Sequence, residues 1–251
     1  MKTLSKSGWI AVFVVTAVIY GSIFGSDDAT NPVATPTPTG STSQTPAETV
    51  APTEPPGEVA PKKRGQALKA LALLPIKGRA PKTGYARELF ADDWNYSNGC
   101  DTRNRILWRD LAQFSYRSGS TCIIETGILE DPFTGRVIAF QRGVRTSLDV
   151  QIDHVVSLSD AWQKGAQRLD AYERFLFYND PLNLLAVWGP ANSQKSDSDA
   201  ASWLPSNKGF RCAFIARQIA VKAKYGLWVT QAEHDAMSRV LGTCPKQRLP
   251  K

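Results

Sequence analysis

VQIDHVVSL, residues 150–158, is an apolar run broken by one acid and one imidazole, Asp153 and His154. Its alternation predicts a β-strand, in which neighbouring side chains point to opposite faces. A buried strand rarely carries Asp and His together unless partners satisfy both polar groups. Further on, PLNLLAVW (181–188) also has β character and holds Asn183, 29 residues after His154. Nine residues later Asn192 stands near the start of a helix predicted through GPANSQKSDSDAASWL (189–204), where Pro190 suits a first helical turn. Lys195 follows one turn after Asn192. Between the two strands, residues 160–178 predict one helix, with Trp162, Ala166, Leu169, Tyr172 and Leu176 at three- and four-residue spacings.

Outward from this region the pattern stays mixed. Residues 67–74 predict a helix ended by Pro75, and Asp101 caps a helix predicted through NRILWRDLAQF (104–114). CIIETGILE (122–130), the turn DPFTG and RVIAF (136–140) predict a small β-hairpin. Asn207 is placed as the cap of a helix to Tyr225, ended by Gly226. Thr230 and Glu233 form a capping-box pattern for a last helix stopping near Gly242. The fold class is α+β with few strands, and the tryptophans are read as core residues.

Charge and cysteines bound the function. The net charge of +7 lies wholly in residues 67–251, with 25 Lys and Arg against 18 Asp and Glu; residues 1–66 hold five of each. A basic folded part favours polyanions such as nucleic acid. No C-x-x-C pair and no G-x-S-x-G occur, which argues against a zinc knuckle, a redox motif and a serine hydrolase. Four cysteines allow three pairings. Cys100–Cys122 and Cys212–Cys244 are favoured because each ties neighbouring elements together.

Residues 1–25 predict a signal peptide or membrane anchor, with Lys2 and Lys6 before an uncharged run from Gly8 to Phe24. Uncleaved, that segment would attach the chain to a membrane with the rest facing outward. Residues 26–66 read as a disordered Pro/Thr-rich stalk, and residues 67–251 as the folded domain.

The ordered set DHVVSL, NDPLNLL and N-x-x-K resembles the HNH (ββα-metal) endonuclease family. It is most similar to the exported branch related to the C-terminal domain of GmrSD restriction endonucleases. NGCDTRN, DPFTG, DAWQKGAQ, DAASWLP and RQIAVKAKYGLWVT extend the likeness from about Tyr85 to Cys244. The resemblance implies a ββα-metal core with an inserted helix, surrounded by additional helices. It implies hydrolysis of phosphodiester bonds in DNA, with RNA as a second candidate substrate. His154 would be the general base, Asp153 and Asn192 the metal ligands, and Asn183 the acceptor that orients the His154 ring.

One carboxylate and one amide are hard donors, so Mg²⁺ is the expected ion and Mn²⁺ the next. Asn192 stands where many members have His, which points away from zinc. Lys195 is expected to hold a phosphate oxygen, and Arg103 to touch phosphate. Asp199 is placed as a helix-surface acid with an outside role at the metal. No protein partner is inferred. The competing reading is a non-catalytic surface module that binds nucleic acid or cell-wall polymer, indifferent to loss of His154.

Overall fold

The computed structural model describes residues 65–143 and 146–250. The predicted export segment and most of the predicted stalk lie outside the described residues. Among those described, no helix is long and apolar enough to cross a membrane.

The elements run α1 (Gln66–Leu71), β1 (Tyr96–Ser97), β2 (Cys100–Asp101), α2 (Thr102–Asp110), β3 (Leu111–Tyr116), β4 (Ile124–Glu130), β5 (Val137–Gln141), β6 (Val150–His154), α3 (Leu158–Gln163), α4 (Ala171–Asn179), β7 (Leu184–Trp188), α5 (Gly189–Lys195), α6 (Arg211–Lys224) and α7 (Gln231–Gly242), with short 3-10 turns between them. The architecture is α+β. β6 and β7 pair antiparallel, with Val150 opposite Trp188, Asp153 opposite Leu185 and His154 opposite Leu184. The pairing survives the insertion of α3 and α4 between the strands, and α5 packs back on both.

An isolated two-stranded ribbon is marginal in water, so this one depends on its faces and edges. Along β6 and β7, Val150, Ile152, Leu184 and Ala186 pack with Ile106, Leu107, Leu129 and Phe140. Leu185 and Val187, on the opposite face, join the helical core of Leu71, Phe214, Ile219, Met237 and Leu241. Side chains take up part of both free edges. On β7, Asp110 accepts from the Ala186 amide, Asp131 accepts from the Trp188 amide, and Arg109 donates to the Leu184 carbonyl. On β6, Arg103 donates to the Val150 carbonyl and Lys195 to that of His154. These contacts cover part of both edges, and Ile152 of β6 lies on an open cleft.

Several expected boundaries change. The strand read over residues 150–158 stops at His154, and Ser157 caps α3. Residues 160–178 are not one helix. Gly165 adopts φ 125°, Asp170 starts a new helix with a full capping box, and a 3-10 turn lies between α3 and α4. The helix after Asp101 stops at Asp110, and LAQFSY becomes β3, making the expected hairpin a three-stranded antiparallel sheet ordered β3-β4-β5. Cross-strand pairing overrode the helical periodicity there. The helix from Pro190 ends at Lys195, where Ser196 turns to φ 50°. Gly189, which opens α5, has no room for a side chain: a Cβ would lie 2.2 Å from the Leu148 carbonyl oxygen. Trp108 departs from its expected core position and is 57% exposed.

Both expected disulfides form, Cys100–Cys122 and Cys212–Cys244. The second closes 32 residues and ties α6 to the end of α7. Its removal frees the unfolded chain, at a cost of about 3 kcal/mol. A Cys212→Ala/Cys244→Ala double variant is expected to unfold at lower urea by that amount; an unchanged midpoint would contradict this. The domain's ends also meet: the Gly65 amide donates to the Pro245 carbonyl, and the Ala67 amide to that of Gln247.

Candidate functional site

His154 is the last residue of β6 and is buried between two aromatic rings. The Trp94 ring lies nearly parallel to it, 5.8 Å between centroids and 12° apart, and the Tyr178 ring lies at 4.8 Å. Its Nε2 is 2.8 Å from the Tyr178 backbone oxygen. A carbonyl can only accept, so Nε2 carries the hydrogen and Nδ1 keeps its lone pair. Burial pushes the imidazole pKa down to about 3. The Tyr178 carbonyl opposes this, and the charges of Arg87 and Lys195 add to it. The ring is neutral in the free protein.

Asn183 does not supply the orienting acceptor expected of it. Fully buried, its amide accepts from the Val156 N–H at 2.9 Å and donates to the Val156 carbonyl at 3.2 Å. Its backbone oxygen takes the Val155 N–H at 2.7 Å. Asn183 thus pins the chain just after His154, while the ring itself is held by Tyr178. The sequence could not show this, because the acceptor is a backbone atom of the inserted helix.

Asp153 is buried beside Lys195, whose Nζ lies 2.9 Å from Oδ1 and also donates to the His154 carbonyl. Burial raises the Asp153 pKa, with Lys195 opposing. Lys195 is fully buried and bonded to both groups, and it is not among the residues lining the cleft where a phosphate contact was expected of it. The expected phosphate contact of Arg103 is likewise replaced. Its guanidinium meets the carbonyls of Ser147 and Val150, at the opposite end of β6 from His154, and it is not part of the cleft wall.

Asp153, His154 and Asn192 come together on one cleft of about 420 Å³. The second carboxylate oxygen of Asp153, Oδ2, is buried with no hydrogen-bond partner among the described residues. The Asn192 amide nitrogen donates to Gln151 Oε1 at 2.9 Å, which leaves its oxygen as a donor to a cation. No three His, Cys, Asp or Glu side chains cluster as metal ligands among the described residues. Two hard oxygen donors, one of them an orphaned carboxylate oxygen, fit an ion that keeps several waters, as Mg²⁺ does; they do not fit a closed zinc site.

Sequence reasoning missed Tyr85, Arg87 and Asp197 as cleft residues, and Trp94 and Tyr178 as the walls around the imidazole. Tyr85, Arg87 and Trp94 come from a segment far upstream of the motifs, and only the fold brings them to His154.

Residues 101–240 match the family described as GmrSD restriction endonucleases, C-terminal domain. A protein of Arthroderma benhamiae, described as an uncharacterized secreted protein, is 33% identical over 180 residues, covering 71% of this chain and 84% of the relative. The matched span contains β6, β7 and α5 with Asp153, His154, Asn183 and Asn192. With more than half of its length aligned to that description and a relative at this identity, the chain belongs to the GmrSD restriction endonuclease C-terminal domain family.

Proposed function

We propose that this protein is an exported, metal-dependent HNH-type endonuclease that hydrolyses phosphodiester bonds of DNA, with RNA as a second substrate. In this reading β6, β7 and α5 form the ββα-metal core. One observation carries it: a neutral imidazole with its lone pair on Nδ1 and a buried carboxylate oxygen that lacks a partner belong to residues lining one cleft, which Asn192 shares. Asp153 and Asn192 would hold the ion, Mg²⁺ first and Mn²⁺ next. A bound divalent cation supplies stabilisation of the charge that grows on the phosphate and on the departing 3′ oxygen.

The protein's own groups do the rest. His154 Nδ1 takes a proton from the water whose oxygen bonds to phosphorus. The P–O3′ bond breaks, leaving a 5′-phosphate and a 3′ oxygen that takes a proton from solvent. Tyr178 holds the ring in the tautomer that makes Nδ1 the acceptor, and Asn183 fixes the backbone that carries the ring. Lys195 fixes the Asp153 carboxylate from behind. The basic folded part favours binding through phosphates, so cleavage should depend little on sequence and fall with salt.

Export is supported by the two disulfides, the apolar N-terminal run and the relative described as secreted. Purified protein is expected to nick plasmid DNA in Mg²⁺ or Mn²⁺ and to stop when EDTA is added. Plasmid and RNA left intact with every divalent ion tried, over a broad pH range, would remove this reading and favour a binding module.

A further inference from the structure

Residues 75–95 lie upstream of the family match and are stitched across the inserted helices. The Lys77 amide donates to the Val229 carbonyl, the Ala80 amide to that of Gln163, and the Asn95 amide to the Asn179 side chain. Phe90 is buried against Trp162 and Phe177. This anchored segment places Arg87 on the cleft wall.

The cleft wall carries one cation without a carboxylate partner among the described residues, Arg87. Asp153 and Asp197 are the carboxylates that line it, and each already has a lysine partner. Lys195 is buried behind Asp153, and Lys82 is paired with Asp197 at 3.2 Å. Among the described residues, Arg87 is the one Lys or Arg that lines the cleft, and it has no carboxylate partner there. Its side chain is exposed and held without being used up. Nη2 donates to the Tyr178 hydroxyl at 3.1 Å, and the guanidinium carbon sits 5.1 Å over the Tyr178 ring. The remaining N–H groups are left for a ligand. The same Tyr178 holds the His154 ring through its carbonyl, so one residue spaces the guanidinium from the imidazole.

We propose that Arg87 is a further catalytic residue, whose guanidinium grips a non-bridging oxygen of the scissile phosphate in this cleft. The proposal rests on the endonuclease reading. A planar fork of N–H donors matches phosphate oxygens, and its charge offsets the negative charge that builds on phosphorus. This residue comes from outside the segment that defines the family, so the matched domain alone would lack it.

The test compares wild type, Arg87→Ala and Arg87→Lys on plasmid DNA in Mg²⁺ under single-turnover conditions, with and without added guanidinium and with thermal melting of each. Arg87→Ala is expected to lose about 100-fold in rate with an unchanged melting point. Arg87→Lys should recover part of the loss, and added guanidinium should partly restore Arg87→Ala. Arg87→Ala cutting at the wild-type rate would overturn the proposal while the endonuclease reading stands. An Arg87→Ala defect that neither Arg87→Lys nor added guanidinium relieves would also overturn it, because Arg87 would then act only through its contact with Tyr178. An inert wild type would remove the endonuclease reading and this proposal together.

Discussion

Replacing His154 with alanine is expected to lower the cleavage rate about 1,000-fold or more while leaving affinity for DNA nearly intact, since a positioned base contributes roughly 10²–10⁴. The loss should appear in single-turnover rates, and DNA binding measured in EDTA should barely move. The pH profile carries a second expectation. Burial holds the free-state ring pKa near 3, far below that of an ordinary histidine. The base is therefore unprotonated across the neutral and mildly acid range, and kcat/KM should show no loss near pH 6.5 as pH falls. A His154→Ala protein that cuts at the wild-type rate would exclude the imidazole as the base.

The other large effect concerns stability. Lys164 is fully buried, with its ammonium 2.7 Å from Asp160, 2.7 Å from Asp199 and 2.6 Å from Glu233. Lys222 adds contacts to Asp160 and Glu233, and Arg79 bridges Asp160 and Asp199. Three cations thus face three carboxylates. Burial alone would raise the Asp199 pKa, but Lys164 and Arg79 overcome it and hold the group below its usual value. Burial alone would lower that of Lys222, and Asp160 with Glu233 raises it instead. Removing one member strands buried charge of the opposite sign. Glu233→Ala or Lys164→Met should each cost about 3–5 kcal/mol, a drop in melting temperature on the order of 10 °C. Urea unfolding checks this, and a loss under 1 kcal/mol would mean that water or a neighbouring group relieves the stranded charge.

That network also marks where the sequence stopped being readable. Thr230 caps α7 as its spacing predicts, yet Glu233 does not complete the box; its carboxylate turns inward to Lys164 and Lys222. Asp199, expected at a helix surface, is buried in the same cluster. Local spacing reports which groups are near in the chain. It cannot report that a lysine 35 residues upstream of Asp199 will sit against it. The ribbon and its Asp-His pair were legible because alternation and motif order are local signals. The family match extends over the same motifs, and their resemblance covered the same ground. The segment carrying Arg87 and Trp94 was not legible as part of the site, since its place against His154 depends on packing over α3 and α4. Lys195 and Arg103 had the expected charge but the wrong target, because strand edges claimed them.

The meeting of residue 65 with residues 245–247 has a use in engineering. A short linker could join the two ends, and new termini could be opened at the Gly119 turn between β3 and β4, where a side chain would meet open space. Such a circular permutant should keep the ribbon and its cleft unbroken. The domain could equally be spliced into a surface loop of a host protein, since its entry and exit points already lie side by side.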